Sequence, residues 1–374
     1  LGSFFSKIGL LNFKFWVCGF GNCFKEFLCR NSFVAKRVEL EKCTYCGSFN
    51  TIKLGFKWNK FECLQRYKCK DCGRVFTNKK LKQKSYPPKV IVRALSIYNS
   101  GFTLKETAEK INKRFSLSIK PQTVHVWVKD FKELCSFSRL RKPALKLFPV
   151  GKMVLRQRLL HSQVYEFQLH KAKLELLKGE LPERKFFALK SYLECIPGKS
   201  FPHHIFRISD EVLEQRASRI KGELLEAKRL EKKNQANKLA ELALTACPNN
   251  RARHETIQDF MIVNDSVTIA CEVPVYLTSD DIAYFKRRGF EFDFENYRTP
   301  ITGHIDLLQV RNGLIHILDY KPEASKVEPL EQLVVYALAL ASRTKLAVKD
   351  FKCAWFDENR FYEFFPLHAV YSRN

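Results

Sequence analysis

The apolar positions of this chain follow a helical period near the front, thin into charge-rich stretches in the middle, and switch to a strand-like alternation after residue 250. From there the pattern predicts a helix at 251–262, a strand near 267–277, strands near 302–310 and 313–321, a helix at 328–343 and a strand near 351–357. Leu330, Leu333, Val334, Ala337 and Leu338 give the second helix an apolar stripe that can cover a sheet, so this part reads as a compact α/β unit. The aromatic and charged residues 278–300 read as a loop inserted into it.

Nearer the front, Pro87 and Pro88 precede three predicted helices, over 89–99, 103–115 and 121–133. Thr103 and Glu106 have capping-box spacing. Leu104, Ala108 and Ile111 share one face of the second helix, and Val124, Trp127, Val128 and Phe131 one face of the third, which is helix-turn-helix patterning. Lys120, Gln122, Thr123, His125 and Lys129 are then left on the exposed side of the last helix, where side chains can reach phosphates and base edges of DNA. Residues 153–178 and 210–246, the latter opening at Ser209-Asp210-Glu211, read as long mixed-charge helices joining the two ends. His161, His170, His203 and His204 lie in or between these stretches without a cysteine or carboxylate at ligand spacing, and read as surface or packing residues.

Charge changes the picture by being lopsided: residues 1–150 hold 31 Lys and Arg against 9 Asp and Glu, 22 of the 26 net positive charges of the 374-residue chain. Such a front end attracts a polyanion, and nucleic acid is the candidate partner. At 45% apolar residues the chain can bury real cores, which excludes wholesale disorder. Thirteen cysteines without a convincing secretory signal point to reduced thiols, metal ligation and an intracellular, cytoplasmic protein. Residues 1–39 are Phe-rich and apolar, but Lys7, Lys14 and Lys25 break them up too often for a membrane span.

Cys43-Thr44-Tyr45-Cys46 and Cys69-Lys70-Asp71-Cys72 are two CxxC pairs separated by 22 residues, a spacing that suits two β-hairpins closing four thiolates around one structural zinc. Gly47 and Gly73 follow the second cysteine of each pair, where a tight turn calls for positive φ. Zinc would staple a module whose own core is too small to hold it. The run from Arg66 to Thr77 together with the helices after it, residues 40–135, resembles the amino-terminal DNA-binding region of prokaryotic insertion-sequence transposases. That resemblance implies recognition of duplex DNA, whereas no later segment matches a transposase catalytic domain.

In the strand Leu314 to Lys321, residues two apart share a face, so Asp319 and Lys321 project together while Leu314, His316, Leu318 and Tyr320 point the other way. Asp306 precedes this pair by one hairpin. With His254, Glu272-Val273-Pro274-Val275, Gly303-His304-Ile305-Asp306, Asp319-Tyr320-Lys321, Gln332 and Tyr336 in order, residues 250–366 resemble the PD-(D/E)XK nuclease superfamily, in its RecB-like and CRISPR-associated exonuclease branch. The resemblance implies that Asp306 and Asp319 bind Mg²⁺ or Mn²⁺, that His254 completes or orients the metal shell, and that Glu272 supports it from behind. It implies that Lys321 positions the attacking water and stabilises developing charge, while Gln332 and Tyr336, four apart on one helical face, position substrate. Many members of that branch hold an iron-sulfur cluster through one cysteine before the core and three after; here only Cys353 follows Lys321, so no cluster is expected.

The chain therefore reads as multi-domain: an apolar segment at 1–39, a zinc ribbon at 40–80, an all-α helix-turn-helix domain at 87–135, a helical connector at 150–249, and an α/β restriction-endonuclease-like core at 250–374. The expected activity is metal-dependent hydrolysis of DNA phosphodiester bonds. The alternatives are a non-catalytic DNA-binding regulator and a mobile-element protein with a nuclease-like domain.

Overall fold

The computed structural model describes residues 41–372 apart from 60, 62, 78–80, 82–83, 208–215, 296 and 298, and its chain divides into two compact units, Leu1–Ser85 and Tyr86–Asn374. The expected apolar segment at 1–39 and the opening of the expected helix at 210 lie outside the described residues.

In the first unit, β1 (Thr51–Trp58), β2 (Cys63–Cys69) and β3 (Val75–Thr77) form one antiparallel sheet in that order. This replaces the two separate hairpins expected from the cysteine spacing: β2 is long enough to pair on both edges, and so serves both cysteine turns. Its small core is Cys43, Tyr67, Cys69 and Phe76, with Tyr67 stacked on Phe76 at 5.5 Å.

The second unit opens with α1 (Pro88–Asn99), α2 (Leu104–Phe115) and α3 (Pro121–Asp130). Proline at the first turn starts α1 and α3, and α2 carries the expected box, with Thr103 Oγ1 accepting from the Glu106 N–H and Glu106 accepting from the Thr103 N–H. These helices do not stand as a separate domain. Asn99 donates a buried amide hydrogen bond to Asn264 Oδ1 at 2.9 Å, Asn264 also donates to Ser96, and Ser136 bonds Ser266, which ties the helices to the segment that leads into the sheet.

After α4 (Arg141–Leu147), β4 (Val154–His161) and β5 (Gln163–His170) make a hairpin that turns at Ser162, followed by α5 (Lys171–Leu176) and α6 (Glu183–Cys195). The long helix expected at 153–178 is thus mostly a hairpin. The Lys, Leu and Glu residues from 171 onward favour helix and dominated that reading, whereas Tyr165, Phe167 and Leu169 alternate with Glu166 and Gln168 at the period of a strand. The expected helix at 210–246 is likewise short: β6 (Gly222–Leu224) and β7 (Leu230–Glu231) precede α7 (Gln235–Leu244), because pairing with distant strands outweighs local helix propensity. The stretch 150–249 is therefore no helical connector.

The chain continues through α8 (Arg253–Asn264), β8 (Thr268–Leu277), α9 (Ser279–Arg287), β9 (Phe292–Phe294), β10 (Ile301–Arg311), β11 (Leu314–Tyr320), α10 (Leu330–Thr344), β12 (Phe351–Phe356) and β13 (Phe361–Phe364). Residues 278–300, expected as a loop, hold α9 and β9; Thr278 and Asp281 cap α9 reciprocally. An eight-stranded sheet runs β4-β5-β8-β10-β11-β12-β13-β7, so it begins about a hundred residues before the expected boundary at 250. Its one parallel pair, β11 with β12, is joined through α10. That helix is buried along nearly its whole length, which its run of Leu, Val and Ala permits. The mixed α/β core expected for the carboxy-terminal part is present. Among the described residues no helix is long and apolar enough to cross a membrane.

Candidate active site and thiol cluster

At the β10–β11 hairpin, cross-strand pairing runs from Arg311↔Leu314 to Leu307↔Leu318. At the next position the Asp306 side chain takes over, its Oδ2 accepting the Tyr320 N–H at 2.9 Å. The strands part there, and the opening is filled by functional groups. Lys321 Nζ lies 2.8 Å from Asp319 Oδ2 and donates to Gln332 Oε1 at 3.2 Å, so the shared face expected for Asp319 and Lys321 is realised as an ion pair. Gln332 Nε2 donates to the Tyr336 hydroxyl at 2.8 Å. A Cβ at position 303 would collide with the Tyr336 ring, which accounts for glycine in Gly303-His304-Ile305-Asp306.

His254, in the first turn of α8, completes the group: its Nε2 is 2.8 Å from the Tyr320 carbonyl oxygen and 3.9 Å from Asp306 Oδ2. One turn on, Gln258 donates to Glu272 Oε1 at 2.7 Å. Glu272 sits in the middle of β8 with φ +50°, a left-handed conformation that a strand residue with a side chain rarely adopts. All seven residues singled out in this region, His254, Glu272, Asp306, Asp319, Lys321, Gln332 and Tyr336, line one cavity of about 180 Å³.

Electrostatics makes this cavity unusual. Burial, and then the charge of Glu272, raises Asp306 to about 7; burial, and then Asp306, raises Asp319 to about 7. Burial raises Glu272 to about 7 as well, against the Gln258 hydrogen bond. Three acids in one dry place, with Lys321 as the cation among them, cannot all ionise without a further positive charge. Carboxylate oxygens, the Tyr320 carbonyl and one imidazole form a hard, oxygen-rich donor set, which fits Mg²⁺ or Mn²⁺.

A family model of the PD-(D/E)XK nuclease superfamily matches residues 173–363, half of the chain. The chain belongs to the PD-(D/E)XK nuclease superfamily. No curated protein and no solved structure matches it. The superfamily match covers α6 and most of the sheet, and it begins only after the ribbon and the front helices have ended, so the likeness of that front to transposases rests on sequence pattern alone.

Several residues of the nuclease cavity went unread in the sequence. His161 Nδ1 is 2.8 Å from His304 Nε2 on the cavity wall, its Nε2 is 2.9 Å from His203 Nδ1 behind, and Tyr165 stacks on His304 at 3.7 Å. Burial, before the charge of His203, lowers His161 to about 4 and keeps it neutral. The sequence held no cue because β4, β5 and the turn at His203 meet only through the fold. His170 instead accepts the Lys173 N–H, and His204 is exposed, as packing and surface roles require. Arg253 binds both the Tyr320 hydroxyl and Glu358, fixing the residue between Asp319 and Lys321 from its far side.

In the first unit, Cys43, Cys46, Cys69 and Cys72 bring their sulfurs within 4.8 Å of one another, with Cys43–Cys72 at 3.7 Å and Cys46–Cys69 at 3.5 Å. Tetrahedral zinc with bonds of about 2.3 Å separates its sulfurs by roughly 3.8 Å, so the cluster has room for that ion. Gly47 and Gly73 take φ +79° and +71°, the left-handed turns expected after each pair. On α3, Gln122, His125 and Lys129 are exposed, as is Lys120 at its N-cap, while Thr123 is half-buried.

Proposed function

We propose that the chain is a deoxyribonuclease that hydrolyses phosphodiester bonds with Mg²⁺ or Mn²⁺, held to DNA by its basic front end. One observation carries the reading: Asp306, Asp319, Glu272, His254 and Lys321, from three strands, a helix and a strand end, converge where β10 and β11 part. Asp306 and Asp319 would hold the ion with the Tyr320 carbonyl, and His254 stands beside both. A bound divalent ion supplies charge neutralisation at the phosphate and an activated water. Lys321, pinned between Asp319 and Gln332, is set to orient that water and to offset charge that builds on the phosphate. Gln332 and Tyr336 hold each other, Tyr336 lies against Gly303 and Gln332 accepts from Lys321, so their part is to keep the lysine in place.

Zinc at the four cysteines would staple the ribbon, and Lys120, Gln122, Thr123, His125 and Lys129 on and just before α3 would contact duplex DNA. Purified protein should cut DNA with Mg²⁺ or Mn²⁺, and Lys321→Ala should abolish cutting without releasing zinc. Undiminished cutting by that variant overturns the site. Tight, salt-sensitive DNA binding with no cutting under several divalent ions would favour the regulator.

A further inference from the structure

A second, larger cavity of about 960 Å³ lies along α8, away from the acids, where α1, α2 and β4 meet it. Val92, Phe260 and Val263 give it an apolar floor. Lys89, Arg93, Lys110, Lys113, Arg114 and Arg156 line it, and Asp259 is the single acid among its described lining residues. Asp259 is already committed, since it and Glu166 hold Arg156 at 2.7 and 2.6 Å. Lys110 lies over the Phe102 ring at 4.3 Å. Among the described residues, Lys89, Arg93, Lys113 and Arg114 face the groove without an ion pair to a carboxylate. Partial burial, followed by the facing charge of Arg114, lowers the pKa of Arg93, although Asp259 pulls the other way.

We propose that this groove is a binding track for the phosphodiester backbone of the DNA strand that leads to the acids. The inference rests on the nuclease reading for the identity of the polyanion. Three features support it. The cations are spread over two helices and a strand instead of converging on a point, as a linear polyanion requires and a single small anion does not. The apolar floor beneath those cations can lie against sugars and bases while the cations meet phosphates. The groove wall is also tied to the site through the sheet: Arg156 pairs with Gln168, and Gln168 with Cys271, the neighbour of Glu272. Two strand spacings, about 10 Å, therefore separate the backbone of the groove wall from that of the acids, roughly three base pairs of rise along a duplex axis. α8 serves both places, with His254 and Gln258 turned to the acids and Asp259, Phe260 and Val263 to the groove.

The test is DNA binding by the full chain in the Lys321→Ala background, where affinity is read without cutting. Arg93→Ala/Lys113→Ala/Arg114→Ala should weaken binding tenfold or more and should lower the slope of log affinity against log salt by about three, one per lost phosphate contact. Arg287→Ala/Arg288→Ala/Lys349→Ala, which removes equal charge elsewhere on the second unit, should move the slope much less. Equal losses in the two triples, or a loss confined to an RNA of the same sequence, overturn the proposal. If the first triple melts early, Lys113→Ala alone, at an exposed position, should lower the slope by about one; no change there also overturns it. Failure of the parent chain to cut DNA would count against the nuclease reading and leave the binding result standing.

Discussion

In the ribbon sheet, four sulfurs lie within 4.8 Å of one another on two glycine-closed turns, each built from four consecutive residues. The acids of the second unit come from β8, β10 and β11, with helper groups from α8 and α10, and their donor atoms do not gather so tightly: among the described residues, the thiols are the one set of three or more such ligands that meets this distance. A structural metal is served by a closed shell, and a catalytic one needs an open position for water and substrate. Local turns can supply the first. The second takes an assembled fold, and it leaves three carboxyls at about 7 and a left-handed Glu272 in mid-strand.

The largest effect expected from that contrast is on the ribbon. Stripping zinc, or Cys69→Ser, should unfold the first unit, since a structural zinc contributes on the order of 10 kcal/mol to such modules, while the second unit keeps its own melting transition. Circular dichroism with zinc release reads both parts, and a ribbon that stays folded without metal would break the contrast. Next, Asp306→Ala and Asp319→Ala should each lower cleavage by about 10³-fold or more and remove a weakly held Mn²⁺, while one zinc per chain remains. Metal analysis with a cleavage assay separates the two sites.

Both halves of this comparison were unequally legible. The thiol cluster could be read whole, because its ligands are neighbours in sequence and its glycines announce the turns. The acids could be read as a motif, since Asp319 and Lys321 share a strand face and Asp306 sits one hairpin away, but their surroundings could not. Gln258, His161, His203, Tyr165 and Arg253 reach the site only through sheet pairing and helix packing, and the hairpin carrying His161 and Tyr165 lay hidden in a stretch whose charges favour helix. The front helices were legible almost to the residue because prolines and a capping box mark their starts.

A smaller effect should follow from Gly303→Ala. The added methyl meets the Tyr336 ring and should cost about 1–3 kcal/mol, with Tyr336→Leu restoring part of it in the double variant. Chemical denaturation measures the coupling, and additive losses would mean that the two residues do not share the space.

Smallest is the pH effect of Asp306→Asn in protein free of divalent ions. Asp306 has a folded pKa of about 7, above the ordinary carboxylate value, so the folded state binds the extra proton and the ionised form destabilises it as pH rises through 7. Asparagine should therefore raise the melting temperature at pH 8 by a few degrees, and the gain should shrink as pH falls below 7 and vanish by about pH 3, where the aspartate is neutral in the unfolded chain as well. A gain that is the same at both pH values would place the effect elsewhere.

The Asn99–Asn264 amide hydrogen bond and the Ser136–Ser266 contact tie the front of the second unit to the end of the helix that carries His254. On the proposed reading, a nuclease built this way is a ruler: wherever α1 and α2 grip the strand, the cut falls a set number of nucleotides away, and the offset is a length written into the protein instead of into the DNA.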